Sequence, residues 1–305
     1  MTPHRLATIG LIDAVDKGDV DKVVFFLRKK KNLRLNVNVK DPHNNDSPIL
    51  HVVIYNATKH VNRKLYFMSV LGRVKGAKEK AVTAARARRD DIKIIRLLIH
   101  HGADVNIHSS DQNDDMLPHT DALHIAAKYD PLLIQYLIKS PSASINSRDE
   151  NGYTPLHYAV VGLRPRQGGD EGTQQTKLRQ RISMIKLLLK HPKIRINCRD
   201  KQGKTPLLIA VNSDKADVVK IFLKDGANPN IKDNNGKSPL DYNYENIVEQ
   251  SRGFLADVPG GLDDVKRIRA MLLEYGATKN PHRERARKKR ARKAAAEAKL
   301  KKRKK

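Results

Sequence analysis

Short apolar runs recur along the chain at helical spacing and are separated by polar turns. In "MIKLLLKH", residues 184–191, apolar positions fall at three- and four-residue steps, which predicts an amphipathic helix. "AVDKGDVDKVVFFL", residues 14–27, carries a helical pattern of the same kind at the start of the chain. Ahead of the first example stands "DENGYTPLHYAV", residues 149–160. Its Asp149–Gly152 stretch predicts a turn in which glycine tolerates positive φ. Thr154 is placed to cap a helix, and Pro155 suits the first helical turn, where a missing N–H is no loss. A short inner helix and a longer outer helix follow. Neither buries its apolar face unaided, so such units must stack.

The unit is copied. "DKQGKTPLLIAV", residues 200–211, repeats the twelve-residue pattern fifty-one positions later. Pro48, Ala122, Pro155, Pro206 and Pro239 share one register, with steps of 74, 33, 51 and 33. A second landmark runs through "GADVN" (102–106), "ASIN" (143–146), "IRIN" (194–197) and "GANPN" (226–230). Asn146, Asn197 and Asn230 each precede the next proline by nine residues. A period of 33 with Thr-Pro-Leu-His resembles the ankyrin-repeat family over most of residues 6–280. The expected fold is all-α: an ankyrin-repeat solenoid of stacked helix-turn-helix units joined by short β-hairpins.

Six units are expected. The first, at 14–27, shows only its helical part and reads as an N-terminal cap. The others open at "DSPILHVV", "TDALHIAA", the two quoted stretches and "DNNGKSPLDY". Leu50 (with His51 one place late), Asp121-Ala122, Leu208 and Asp241 depart from the pattern, so individual hydrogen bonds should differ there. The connection 107–121 is seven residues longer than its counterparts, and its acidic tip "SSDQNDDM" should protrude.

The surplus length lies in insertions at about 56–90, 162–182 and 243–262, each between an inner and an outer helix and hence on one edge. Charge concentrates in two of them and in the tail. The formal net charge is +27, of which residues 281–305 hold +12, 56–90 hold +8 and 162–182 hold +3, leaving +4 for the rest. In 56–90, Val61, Leu65, Met68, Leu71 and Val74 recur at helical steps, with Gly72 and Gly76 interrupting before the Ala/Arg stretch. A cover packed on the repeats and a basic amphipathic helix for an acidic partner or membrane surface both fit. "GLRPRQGGDEGTQQTK" reads as a flexible loop.

The tail 281–305 lacks the apolar residues to join a core. Its clusters, with Arg287, Lys288, Lys289, Arg290, Arg292 and Lys293 in one and Lys301, Lys302, Arg303, Lys304 and Lys305 in the other, resemble a bipartite nuclear-import signal. They also suit a polyanion, so an import receptor or nucleic acid is an expected tail partner and a nuclear or nucleolar location is expected.

Hydrophobic residues make up 39%, with five Phe, nine Tyr and no Trp, which favours a thin, elongated architecture. One cysteine, Cys198, allows no internal disulfide and points to an intracellular setting. No run approaches a membrane span, and "MTPHRLATIG" lacks a signal-peptide core.

Catalytic signals are missing. "CRDKQGKT" (198–205) and "IKDNNGKS" (231–238) end like a phosphate-binding loop but carry Cys198 and Ile231 where that motif needs glycine. No nucleophile–base set and no zinc-type ligand spacing occur. The expectation is a non-enzyme without cofactor, metal or small-molecule substrate. Asp90–Asp91 and Asp263–Asp264 are expected to open helices, and His100–His101 to sit at an outer-helix end. The ankyrin resemblance implies structural hydrogen bonds for His124 and His157. It also implies that a protein partner is held by hairpin tips and inner helices, here Arg148, Glu150, Asn151, Tyr153, Arg199, Lys201, Gln202, Lys204, Asn212, Asn234, Asn235 and Lys237. With Arg199, Lys201, Lys204, Lys232 and Lys237 in repeats five and six, that partner should present an acidic surface.

Overall fold

Helix pairs appear at the register the repeats predict. The computed structural model describes residues 3–33, 35–42, 47–69, 77–108, 120–130, 132–161, 171–252 and 263–278. The chain divides into two compact units, Met1–Lys201 and Gln202–Lys305. The first contains α1 (Pro3–Asp16) with α2 (Val20–Arg28) and the one-turn α3 (Lys30–Leu33). It continues with α4 (Ile49–Ser69) and α5 (Ala77–His100), α6 (Ala122–Tyr129) and α7 (Ile134–Leu137), then α8 (Pro155–Val161) and α9 (Glu171–Leu189). The second unit holds α10 (Pro206–Asn212) with α11 (Ala216–Lys224), and α12 (Pro239–Arg252) with α13 (Asp263–Glu274). One antiparallel ladder, β1 (Lys40–Asp41) on β2 (Ser47–Pro48), leads into α4.

The inner helices α6, α8, α10 and α12 start on their register residues, while α4 starts at Ile49, one residue after Pro48; in α6 and α10 the preceding side chain caps the first turn. Thr205 accepts the Leu208 amide at 3.2 Å with Pro206 at the first position of α10. In repeat three Asp121 does the same for His124, at 3.1 Å. Between repeats, Leu, Ile, Val and Ala side chains interlock. Leu123, Leu207, Leu208, Val219 and Phe222 are buried, each such large side chain stabilising its unit by about 1.5–3 kcal/mol. Leu208 and Leu50, standing where the pattern has histidine, are part of this core.

Asparagines staple neighbouring repeats within each unit. The Asn106 side chain accepts the Ser144 amide at 2.8 Å and donates to the Ser142 carbonyl at 2.7 Å. Asn146 makes the same pair of bonds to Arg195 and Lys193, and Asn230 to Thr278 and Gly276. Asn38 opens the series by accepting the Asp104 amide at 2.7 Å. A primary amide suits this task because one planar group offers both a donor and an acceptor.

Residues 56–69 and 77–90 are helical, as the apolar steps there predict, and lengthen α4 and α5, which pack along each other as a helical hairpin. The second insertion differs from expectation. Residues 171–177, expected as loop, are the start of α9. Asp90–Asp91 sits in the middle of α5, since the Ala/Arg stretch before it continues the helix, whereas Asp263–Asp264 does open α13. His100 ends α5 as expected.

Specific polar contacts hold these extensions. Arg88 Nη2 of α5 donates to both carboxylate oxygens of Asp130, at 2.9 and 2.8 Å. Arg181 of α9 donates to the Ala127 and Lys128 carbonyls at 3.1 and 2.5 Å. Two basic insertions thus meet at the C-terminal end of α6, where carbonyls lack helical partners. In the second unit Asn246 of α12 caps α10 similarly, donating to the Val211 carbonyl and Asp214. Residues 70–76, 109–119, 162–170, 253–262 and 279–305 lie outside the described residues, and with them the acidic tip and the tail clusters.

Candidate functional site

Two of the described hairpin tips are each built around one aspartate. Asp149 Oδ1 accepts the amides of Asn151 and Tyr153 at 2.9 and 2.7 Å, and its Oδ2 accepts the Tyr158 hydroxyl at 2.7 Å. Backbone bonds close the turn, Gly152 N–H to Asp149 O and Asp149 N–H to Tyr153 O. Asp233 repeats the arrangement in the second unit, accepting the amides of Asn235 and Lys237 and the Tyr242 hydroxyl at 2.8 Å. Burial works against the charge of Asp233, but the Lys237 amide, the Tyr242 hydroxyl and the Asn235 amide hold its carboxyl below the usual range. Tyrosine follows the turn aspartate by nine residues in both tips, a spacing that sequence reading overlooked.

The tips also stack on one another. Lys201 N–H donates to the Asn151 carbonyl, and Asn234 N–H to the Gln202 carbonyl, both at 2.9 Å. Gly152 has φ +75°, and an added Cβ would stand 3.0 Å from the Lys201 nitrogen. The tips are therefore frames whose backbone groups bond inward, with several of their side chains exposed at the surface.

Two histidines brace the frames in different charge states of partner. His124 Nδ1 lies 2.8 Å from Asp121 Oδ1, and its Nε2 lies 3.0 Å from the Tyr153 carbonyl. Nδ1 also lies 3.4 Å from the Asp121 backbone N–H, which completes a reciprocal capping box. Burial opposes a charged ring, but Asp121 outweighs it and raises the His124 pKa while its own is lowered. His157 instead meets a neutral cap, with Thr154 Oγ1 at 2.9 Å and the Thr154 amide at 3.1 Å from Nδ1. The structural role expected for His124 is thus visible as support for the Tyr153 turn.

Of the residues expected to bind a partner, Glu150, Asn151 and Lys201 are exposed on first-unit tips, and Gln202, Asn234 and Asn235 on those of the second. Arg148 and Arg199 are exposed and joined, the guanidinium donating to the Arg199 carbonyl at 2.6 Å. Tyr153 is half-buried, stacked on His157 with ring centroids 5.5 Å apart. Lys204 and Lys237 flank the Tyr242 ring, and Lys237 pairs with Glu245 at 2.6 Å, so part of the expected positive charge is balanced. Asn212 ends α10, about 10 Å along the helix from the tip. The phosphate-loop look-alike at 231–238 is the Asp233 turn itself.

Cys198 is half-buried, and burial raises its thiol pKa against the opposing pull of Arg148 and Arg195, so it is poorly suited to act as a thiolate nucleophile. Among the described residues no group of three His, Cys, Asp or Glu is arranged to hold a metal ion. No described helix is long and apolar enough to cross a membrane.

Comparisons with known proteins agree with this architecture. The family model "Ankyrin repeats (3 copies)" matches residues 81–165 and 177–249, and the single "Ankyrin repeat" model matches 151–201. Alpha-latrotoxin-Lg1a of Latrodectus geometricus is 31% identical over 145 residues, covering 47% of this chain and 10% of the toxin. Rabankyrin-5 of Homo sapiens is 28% identical over 162 residues, covering 51% of this chain and 12% of that protein. The chain therefore spans about a tenth of the length of these curated relatives. Among solved structures, the ankyrin repeat domain of Bcl-3, a member of the IkappaB protein family, superposes with TM-score 0.56 at 21% identity, covering 90% of both chains. EF0377, an ankyrin repeat protein, gives 0.57 at 19% identity, covering 88% of this chain and 98% of its own.

Proposed function

We infer the function from one premise: the chain belongs to the ankyrin-repeat family. Repeats of this family generally mediate protein–protein interaction. The protein is a non-enzymatic scaffold that holds a protein partner against its hairpin tips and inner helices. The observation carrying this reading is the pair of aspartate-framed tips, which turn backbone polar groups inward and leave Glu150, Asn151, Lys201, Gln202, Asn234 and Asn235 exposed. Presentation on such frames lowers the entropy lost on binding. Arg199, Lys201 and the exposed Lys232 favour an acidic surface on the partner. The basic clusters of 281–305 serve as an address for an import receptor, which places the protein in the nucleus.

Affinity capture from nuclease-treated lysate tests the scaffold, comparing the full chain with one ending at Asn280. A protein partner retained by both supports it. Loss of all partners after nuclease treatment assigns the charge to nucleic acid instead. Imaging the two forms in cells tests the address: the shortened form should leave the nucleus.

A further inference from the structure

A second surface lies on the outer helices of the first unit, away from the tips. Along α5 the exposed residues Arg86, Arg89, Lys93 and Arg96 recur at three- and four-residue steps, which places four cations on one helical face. Asp90 pairs with Lys93 at 3.0 Å, while Arg96 makes no hydrogen bond or ion pair among the described residues. At the C-terminal end of this stripe, α2, α5 and the α7 region enclose an open groove of about 640 Å³. Val20, Leu97, Ile99 and Tyr136 form its half-buried apolar floor, and Lys93, Arg96, His100 and Lys139 its exposed rim. No carboxylate lines it, and Lys139, like Arg96, is unpaired among the described residues.

We propose that this groove is a second docking site, for an acidic amphipathic segment of a partner protein that seats aliphatic side chains on Leu97, Ile99 and Val20 and sets carboxylates against Arg96 and Lys139. The floor decides the class of partner. Nucleic acid offers phosphates to the rim, but a mainly aliphatic floor gives its bases little to stack on: Tyr136 is the one ring in the floor, and the His100 imidazole stands on the exposed rim. Aliphatic side chains flanked by carboxylates match both parts at once. The site is independent of the tips, so one molecule has two separate surfaces for partners.

The test uses fluorescence anisotropy with the full chain and three probes: a Glu-rich helical peptide with Leu at i, i+4 and i+7, the same peptide with Ala for each Leu, and a short DNA duplex. The Leu peptide should bind about tenfold more tightly than the Ala peptide. Arg96→Glu with Lys139→Glu should weaken the Leu peptide about tenfold, exposed positions whose replacement leaves the fold intact. Glu150→Ala with Lys201→Ala should leave it unchanged. Equal binding of the two peptides, tighter binding of the duplex through Arg96 and Lys139, or absence of an effect at those residues would overturn the proposal. A loss in the tip variant instead would assign the peptide to the scaffold surface.

Discussion

Removing one oxygen from a tip frame should measure how firmly the tips are held. In Tyr158→Phe the ring stays and only the hydroxyl that donates to Asp149 Oδ2 at 2.7 Å is lost. Tyr158 is 6% exposed and Asp149 8%, so water cannot readily replace the donor. Burial first, and then the Asp149 carboxylate, raise the Tyr158 pKa, so the hydroxyl keeps its proton. A hydrogen bond to a charged acceptor is worth about 1.5–3 kcal/mol, and Asp149 retains its two amide donors, so a loss of about 2 kcal/mol is expected. Tyr242→Phe removes the matching bond to Asp233, but Tyr242 is half-exposed and water can substitute in part, so about 1 kcal/mol is expected. Urea unfolding followed by circular dichroism reads both as shifts in midpoint at unchanged slope. Hydrogen exchange adds a local reading, since Lys201 N–H donates to the Asn151 carbonyl and should exchange faster in Tyr158→Phe. A Tyr158→Phe protein as stable as wild type, with Lys201 exchange unchanged, would refute the frame.

Other perturbations address the histidines and the turn glycine. His51 is fully buried, and burial lowers its pKa to about 4, against the pull of Asp121 and the Ile107 backbone and with the push of His108. Its folded pKa lies below the unfolded value, so stability should be complete above about pH 6.5 and fall by about 3 kcal/mol as pH drops toward 4, a slope that His51→Leu should flatten in pH-dependent urea melts. The Asp121–His124 pair has the opposite sign on its histidine. Its contribution is present below the unfolded histidine range, is lost as pH rises through the raised His124 pKa, and is lost at the acid end as pH falls through the depressed Asp121 pKa. Asp121→Asn should cost about 3 kcal/mol at pH 6, while Asp121→Thr, which copies the neutral Thr154–His157 arrangement, should cost less; NMR titration should show the His124 pKa falling in both. Gly152→Ala forces a side chain into φ +75° against the Lys201 backbone and should cost about 1–2 kcal/mol in the same melts.

The repeat was legible because every unit needs the same residues for the same tasks. Thr205 and Pro206 start α10 as Thr-Pro predicts, and Asn146 and Asn230 occupy the stapling positions that their spacing marked. Asn38 was missed because it lies ten residues before Pro48 where the others lie nine. The start of α9 was missed for a different reason. Residues 162–177 are rich in Gly and Gln and carry no apolar period, yet Arg181 ties the helix to the end of α6, a partner distant in sequence. Asp90 and Asp91 mimic a helix start because acidic pairs suit one, and nothing local shows that α5 has already run for three turns. Partner-binding residues are legible only as exposed positions on a hydrogen-bonded frame, since a binding surface is defined by a molecule the chain does not encode.

The most direct measurement is the affinity of the captured protein partner for the full chain by isothermal titration calorimetry, with wild type set against Glu150→Ala/Asn151→Ala/Lys201→Ala. All three side chains are exposed, so unfolding midpoints should stay within about 0.5 kcal/mol of wild type. A loss in affinity of about tenfold or more at unchanged stability is the predicted result. Unchanged affinity in the tip variant would contradict the claim that the aspartate-framed tips are the surface that binds.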